Sequence, residues 1–225
     1  MAKKAVVLLS GGLDSAVTLF YAINKGYECF ALTFDYGQRH LKEIAGAKRI
    51  AALAKAHFEA VSLKFPWKGS SLTDKQMILP VKRTIREIRS GIPSTYVPAR
   101  NSIFLSIAAS YAEAIGASKV FIGAHSEDSS GYPDCRKGYL EKFAEAMRLG
   151  TKAGTEGRLL VEFPRIDKTK SGIIKLGGLL GVPFEFTGSC YRGGVKPCGE
   201  CDSCILRAKG FKEAGIKDPH FGLNI

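Results

Sequence analysis

The sequence has no apolar run near the ~18 residues that a membrane-spanning helix requires, and it has no internal repeat or low-complexity tract. These absences exclude a helical membrane protein and a repeat array. The basic and apolar start of the chain, residues 1–9, is similar to a signal peptide, but its apolar stretch ends at Ser10 and the acidic Asp14 follows. We therefore expect a cytoplasmic protein with no membrane partner.

Acidic residues are scarce: 21 Asp and Glu stand against 33 Lys and Arg, which gives a formal net charge of +12. Much of the excess lies in residues 64–100, where eight Lys and Arg face only Asp74 and Glu87. Such a segment either binds an anionic partner or forms a solvated surface loop, and charge alone does not decide between them. Residues 66–100 of this segment form a long stretch with little periodicity, for which we expect an irregular excursion with one short helix.

Strands alternate with helices along the 225 residues, which predicts an α/β protein with a Rossmann-like, doubly wound, parallel five-stranded sheet. The predicted strands are continuous apolar runs, as expected for parallel strands covered on both faces: residues 5–9, 28–34, 58–63, 119–122 and 159–163. The predicted helices cover residues 15–24, 39–54, 102–115, 137–149 and 168–180. We assign residues 1–186 to this domain and residues 187–225 to a small C-terminal element.

The first predicted strand leads directly into the string SGGLDS, residues 10–15, and then into a helix. Glycines let phosphate oxygens approach the backbone, and the first N–H groups of a helix bind anions. A simple capped turn is the alternative, but the complete string favours ATP binding. The Walker pattern GxxxxGK[ST] is absent, so amides, hydroxyls and Mg²⁺ would hold the phosphates. The predicted nucleotide-binding residues are Leu9, Ser10, Gly11, Gly12, Leu13, Asp14, Ser15, Ala16, Val17, Thr18 and Leu19.

Other polar motifs follow later strands or precede helices, and ligands of such sheets bind beyond the carboxyl ends of the strands. They are FDYGQRH at residues 34–40, VPARN at 97–101, GAHSED at 123–128 and SGYPDCR at 130–136. In the first motif Asp35, Gln38, Arg39 and His40 form a cluster for which we predict contact with adenylate or phosphate. Arg100 at the start of an apolar helix suits a phosphate or carboxylate.

The second and fourth of these motifs carry the candidate substrate-binding residues. Asn101 either lines the site or caps its helix. Asp134 suits the hydrogen-bond donors of a guanidine-like edge, and Arg136 suits a carboxylate. Cys135 has no evident neighbouring base, so we expect a packing or contacting role rather than covalent catalysis.

Four of the six cysteines crowd into one short stretch, Cys190, Cys198, Cys201 and Cys204, which is a metal-binding spacing rather than a disulfide framework. Four thiolates favour a closed, structural Zn²⁺ site, with an iron–sulfur cluster as the alternative. We expect the metal, and not a core, to order this segment. Cys29 lies in an apolar strand and is predicted to be buried.

The string SGGxDS resembles the signature of the PP-loop ATP pyrophosphatases, a family with the adenine nucleotide alpha hydrolase-like fold. Together, SGGLDS, FDYGQRH, VPARN, SGYPDCR and the closing CYRGG…CGECDSCILRAKGF resemble the 7-cyano-7-deazaguanine synthases over nearly the whole chain. This family belongs to the pathway of 7-deazapurine tRNA modification. The resemblance implies that 7-carboxy-7-deazaguanine, ammonia and ATP are substrates, and that the carboxylate and then the amide are adenylated.

The resemblance also implies roles for individual residues. The loop residues, with Asp14 and Ser15, would bind the departing pyrophosphate and its Mg²⁺. Arg100 or Arg39 would offset charge that develops at the phosphates. Asn101, Asp134 and Arg136 would read the base or its carboxylate, and a homodimer is expected from the family alone.

Two other functions are compatible with the motifs. One is a PP-loop enzyme that adenylates a tRNA base, either a sulfurtransferase or a lysidine-type synthetase. The chain has no extra RNA-binding domain and no free catalytic cysteine pair once four thiols bind metal, so we expect no direct nucleic-acid binding. The other is a non-catalytic zinc module that binds nucleic acid and uses ATP only as a ligand.

Overall fold

Five parallel strands form one sheet in the order β3-β2-β1-β4-β5 in the computed structural model, which describes residues 2–125, 131–164, 166–188, 190–194 and 196–221. The strands are β1 Lys4–Leu8, β2 Glu28–Asp35, β3 His57–Ser62, β4 Lys119–Phe121 and β5 Leu160–Glu162. The predicted doubly wound sheet is confirmed, and its five strands form where the apolar runs predict them. Strand β3 differs from the prediction that both faces are covered, since it lies at the edge of the sheet and most of its residues are exposed.

Eight helices of the described residues connect or cover these strands. They are α1 Leu13–Asn24, α2 Lys42–Leu53, α3 Ile85–Ile88, α4 Arg100–Ile115, α5 Lys137–Gly150, α6 Lys152–Thr155, α7 Lys170–Leu179 and α8 Asp202–Ala214. The five predicted helices are confirmed, although α2 begins at Lys42 rather than at residue 39. In the part of the chain that the structure describes, no helix has both the length and the apolarity to cross a membrane.

The core has two halves, one on each face of the sheet. Side chains of a strand point alternately to opposite faces, so Val6 and Leu8 of β1 pack toward α4 and α5, whereas Ala5 and Val7 pack toward α1, α2 and α7. Cys29 belongs to the second half, and its burial raises the pKa of its thiol to about 12, as expected for a cysteine that serves only in packing.

The C-terminal helix α8 was not predicted from the sequence. It follows Cys201 and ends before Gly215, which has a φ of 70° and so provides the left-handed residue that commonly ends a helix. Its Phe211 is buried and packs edge-on against Phe184 at 5.2 Å between ring centroids. A core-packed helix thus follows the cysteine segment, and the ordering of residues 190–204 by a metal stays a prediction. The division at residue 186 stays a prediction.

The basic segment 64–100 runs mostly without regular structure and contains the short helix α3, as predicted. It is fastened to the C-terminal element. The Lys82 N–H donates to the Glu200 carbonyl at 2.8 Å, Val81 forms an isolated antiparallel bridge with Cys201, and Arg83 forms a two-pronged ion pair with Asp202. These contacts hold the segment over the carboxyl edge of the sheet.

Part of two predicted motifs lies outside the described residues. These are positions 126–128 of GAHSED and position 130 of SGYPDCR.

Candidate active site at the carboxyl edge of the sheet

A cavity of about 250 Å³ lies beyond the carboxyl ends of β1, β2 and β4, where the strand order changes direction between β1 and β4. This switch point is where doubly wound sheets bind ligands. The SGGLDS loop, the residues after β2 and β4, the start of α4 and parts of the C-terminal element line the cavity. Several of the predicted motifs therefore meet at one place.

The phosphate loop is held in shape by its own hydroxyl groups. Ser10 Oγ and Ser15 Oγ lie 3.1 Å apart, the Gly12 N–H donates to Ser10 Oγ at 3.2 Å, and the Ser15 hydroxyl donates to the Gly12 carbonyl at 2.9 Å. The Ala16 N–H donates to the Gly12 carbonyl and forms the first hydrogen bond of the helix. The N–H groups that precede it lie at a helix end that favours anions.

Glycine is required at position 11 by both conformation and space. Its φ is 84°, and a Cβ there would lie 2.1 Å from the carbonyl oxygen of Glu43 in α2. The Gly188 N–H donates to the Gly11 carbonyl at 2.8 Å. The loop thus packs between α2 and the segment around Gly188 that precedes the cysteine cluster.

Asp14 is the acidic centre of the site. Its Oδ2 accepts a 2.7 Å hydrogen bond from Lys170, the first residue of α7. His125 is fully buried after β4, with its Nε2 at 3.1 Å from the Lys170 ammonium and 3.5 Å from Asp14 Oδ1. Asp14 Oδ1 has no hydrogen-bond partner among the described residues. An oxygen left open beside a phosphate loop fits Mg²⁺, which commonly takes one or two carboxylates plus substrate phosphates.

The structure divides the predicted nucleotide-binding residues into two groups. Those that line the cavity are Leu9, Ser10, Gly12, Leu13, Asp14 and Ser15. Gly11 faces α2, and Ala16, Val17, Thr18 and Leu19 are fully buried, with no place in the cavity wall. Burial of this stretch of α1 against the sheet aims its N-terminus at the cavity.

Arg100 and Asn101 both line the cavity from the start of α4. Arg100 donates to the Tyr36 hydroxyl at 2.8 Å, and its guanidinium carbon lies 5.6 Å from the centre of the Tyr36 ring. The amide Nδ2 of Asn101 lies 3.1 Å from Cys135 Sγ, and Cys135 also lines the cavity. Asn101 therefore lies inside the helix and its side chain faces neighbours at the cavity, which a cap would not do.

The structure does not bring three other predicted residues to the cavity wall. The Asp134 carboxylate is buried and accepts the Asn101 N–H at 2.9 Å, so it caps α4. Arg136 is exposed just before α5. Arg39 donates to the carbonyls of Asp74 and Met77, both at 2.7 Å, and so fixes the basic segment.

The FDYGQRH motif places the polar side chains of Gln38 and His40 in the cavity wall. Gln38 closes its own turn, since its amide donates to the Phe34 carbonyl at 3.0 Å and accepts the Tyr36 N–H at 2.8 Å.

His40 Nε2 lies 3.3 Å from Oε2 of Glu43. Burial, reinforced by Arg100, lowers the pKa of His40 to about 4. Burial also raises the pKa of Glu43 to about 8, although Arg100 opposes the rise.

The four clustered cysteines come together in space. Their Sγ atoms all lie within 4.8 Å of one another. The Cys198 N–H donates to Cys190 Sγ at 3.3 Å, and the Cys201 N–H donates to Cys198 Sγ at 3.4 Å. Sulfurs around one tetrahedral ion with metal–sulfur bonds of about 2.3 Å would be about 3.8 Å apart, so the donor set fits a metal. A metal ion held by all four sulfurs would have no open coordination position, as is typical of structural sites.

A model of the family described as "Queuosine biosynthesis protein QueC" matches residues 4–215. The chain belongs to the QueC family. The resemblance read from the motifs is thereby confirmed. This QueC family member is 52% identical over 220 residues to a 7-cyano-7-deazaguanine synthase of Trichodesmium erythraeum (strain IMS101), with 96% of this chain and 99% of that protein covered. It is 51% identical over 219 residues to the protein of the same name from Thermoplasma volcanium, with 97% and 90% covered.

One solved structure is similar in fold to this QueC family member. NMN synthetase from Francisella tularensis superposes with a TM-score of 0.52 at 16% identity, over 96% of this chain and 79% of that one. At such low identity the similarity concerns the fold alone. It supports the assignment of the sheet.

Sequence reasoning missed several residues of the site, above all Lys170, Glu43 and Tyr191. Lys170 follows Thr169, whose hydroxyl accepts the Gly172 N–H at 3.2 Å and caps α7. A capped helix that follows the fifth strand begins at the carboxyl edge of the sheet, and this signal could have pointed to Lys170. Glu43 and Tyr191 reach the cavity only through tertiary packing.

Proposed function

We propose that this QueC family member is a 7-cyano-7-deazaguanine synthase, which makes the nitrile from 7-carboxy-7-deazaguanine, ammonia and ATP. The observation that carries the proposal is the pair of full-length relatives of that name. The geometry supports it, because the phosphate loop shares one cavity with aromatic and amide side chains suited to a planar base.

The proposed reaction adenylates the substrate twice. First the substrate carboxylate attacks the α-phosphate of ATP, the bond to the β-phosphate oxygen breaks, and pyrophosphate leaves. Ammonia then attacks the acyl carbon, AMP leaves with the former carboxylate oxygen, and the nitrogen loses one proton to give the amide. In the second cycle the amide oxygen attacks a new ATP. Loss of AMP and the remaining nitrogen protons leaves the nitrile.

Both activations release pyrophosphate, so one phosphate site serves twice. The N–H groups of Leu13, Asp14 and Ser15 would bind the leaving pyrophosphate at the start of α1. Lys170 and Arg100 would stabilise the charge that develops on it. Mg²⁺, held by Asp14 and the phosphates, would neutralise further charge there.

The substrate base is proposed to lie near the start of α4. Asn101 lines the cavity there, beside the ring of Phe104. Asp134 would act through Asn101 by fixing the end of the helix. Arg39 is still proposed to contact phosphate, and Arg136 to contact the substrate carboxylate. Both lie away from the cavity wall, so they are weaker candidates than Lys170.

The remaining proposals concern metal and assembly. We propose Zn²⁺ as the ion of the cysteine cluster, because four thiolates with short CxxC spacings are typical of structural zinc. A cytoplasmic homodimer is also proposed. The mostly exposed edge strand β3, His57–Ser62, supports the dimer, since an edge strand offers unpaired backbone groups to a second copy.

Isotope exchange between pyrophosphate and ATP tests the proposed function at its first step. Exchange should appear with 7-carboxy-7-deazaguanine, in the absence of ammonia, and not with 7-deazaguanine, which lacks the carboxylate. Exchange or ATP hydrolysis that depends on tRNA instead would favour the tRNA-modifying alternative.

A further inference from the structure

A second cavity of about 140 Å³, here called the side cavity, adjoins the central one. The two share part of their walls, formed by His40, Glu43, Gly188 and Arg207. Away from this wall the side cavity is lined by Cys190 and Cys204 of the cysteine cluster and by the exposed Lys42 and Gly194. The side cavity therefore reaches from the surface to the wall that it shares with the central cavity.

The shared wall lies against the phosphate loop. Gly188 bridges to Gly12, and its N–H bonds to Gly11, while the Glu43 carbonyl oxygen occupies the space beside Gly11. A Cβ at Gly188 would lie 2.8 Å from Cγ of Glu43, so the Glu43 side chain passes directly along this wall. A small molecule at the shared wall would thus lie next to the place where the adenylate forms.

The shared wall also carries an unused hydrogen-bonding group. His40 is only 6% exposed, and its Nδ1 has no partner among the described residues. Its Nε2 is occupied by Glu43. A buried polar atom without a hydrogen bond is destabilising, so such an atom usually faces a ligand or an ordered water.

We propose that the side cavity is the access route and binding site of ammonia, held at the shared wall by His40 and Glu43; this inference rests on the proposed function. Ammonia both donates and accepts hydrogen bonds. It can therefore complement His40 Nδ1 in either tautomer. When Nε2–H donates to Glu43, Nδ1 accepts an N–H from ammonia; when a protonated Glu43 donates to Nε2, Nδ1–H donates to the lone pair of ammonia. Glu43 retains a second oxygen, Oε1, for the bound molecule.

The one guanidinium that the described residues place in the shared wall, that of Arg207, is already paired, so the wall favours a small neutral ligand over an anion. The guanidinium of Arg207 is already satisfied, with two hydrogen bonds to Asp218 at 2.8 and 3.0 Å and others to Thr187 and Phe184. It is therefore not free to bind phosphate or carboxylate. The larger substrates would stay in the central cavity, so the nucleophile can arrive while both are bound.

Steady-state kinetics with varied ammonium tests this site. Glu43→Met removes both carboxyl oxygens, and His40→Phe removes both nitrogens while keeping a planar ring. Each should raise the KM for ammonium about tenfold, the effect of losing one hydrogen bond. Glu43→Gln keeps one carbonyl oxygen and should raise it less. Glu141→Met, at an exposed position of α5, is the matched control and should leave this KM unchanged.

The ammonia-free exchange reaction separates a local effect from a general one. The KM for ATP in carboxylate-dependent exchange should stay within about twofold in Glu43→Met and His40→Phe, since the backbone contact of Glu43 with Gly11 remains in both. An unchanged KM for ammonium, or a parallel rise of the KM for ATP, would overturn the ammonia site. If the unmodified protein shows no such exchange, the proposed function fails, and the ammonia site fails with it.

Discussion

The ammonium group of Lys170 donates a 2.7 Å hydrogen bond to Oδ2 of Asp14, although 156 positions separate the two residues in the chain. The contact joins the start of α7 to the start of α1. A cation is thereby fixed beside the phosphate loop before any nucleotide binds. Because Walker-type loops carry their own lysine and this loop has none, Lys170 is the cation best placed to act on the leaving pyrophosphate.

Lys170→Met should lower the rate of pyrophosphate release by about a hundredfold, because the transition state loses a preorganised charge. Release is measured with a coupled phosphate assay. Lys175→Met is the matched control, since Lys175 is exposed on the same helix. Equal rates in the two variants would show that Lys170 has no part in the chemistry.

Asp14→Ala should abolish pyrophosphate release and leave the fold intact. The carboxylate is the acidic centre of the loop, and its side chain is partly exposed, so its loss removes a ligand rather than core packing. Circular dichroism checks the fold, and Asp167→Ala at an exposed position serves as control. Full activity of Asp14→Ala would mean that the loop assignment is wrong.

Cys201→Ser should reduce the bound metal, which we expect to be one zinc ion per chain, and should lower the thermal midpoint. Elemental analysis by mass spectrometry measures the metal content, and absorption in the visible range detects an iron–sulfur cluster. Cys29→Ala, which removes a buried thiol from the α/β core, should keep the metal. Iron and inorganic sulfide in place of zinc would contradict the proposed metal.

Asp218→Ala should destabilise the protein by about 3–5 kcal/mol, because it leaves the charge of Arg207 buried and unpaired. Both side chains of this pair are nearly inaccessible, with 3% and 4% exposed. In contrast, Glu213→Ala removes the partner of Lys209 from a half-exposed pair on the same helix and should cost about 1 kcal/mol or less. Urea unfolding compares the two free energies. Similar losses would mean that the Arg207 pair does not anchor α8.

The sequence predicted those features that depend on local pattern. Apolar runs such as that of β1 could only be strands of a covered sheet, and SGGLDS after such a run placed the phosphate site at its carboxyl end. Lys170 could not be found in this way, because its partner Asp14 is distant in the chain. Helix α8 was missed for another reason: the cysteine spacing explained the segment without a core, and the burial of Phe211 shows only in the packed structure.

Arg136, in contrast to Lys170, was predicted for the site from its motif but lies away from the cavity wall. Its motif, SGYPDCR, was correctly expected near the site, since Tyr132 and Cys135 line the cavity. A short 3₁₀ turn, Pro133–Cys135, then leads the chain outward to α5, so Arg136 is exposed. The direction of a side chain at the end of such a turn is set by tertiary contacts. The spacing of the motif therefore does not predict whether this side chain faces the cavity.

Mass spectrometry of the products tests the central claim most directly. Purified protein is incubated with ATP, Mg²⁺, ¹⁵N-ammonium and 7-carboxy-7-deazaguanine. The account predicts 7-cyano-7-deazaguanine with ¹⁵N in the nitrile, together with AMP and pyrophosphate. Absence of both the nitrile and pyrophosphate, with ATP consumed only when tRNA is added, would contradict it.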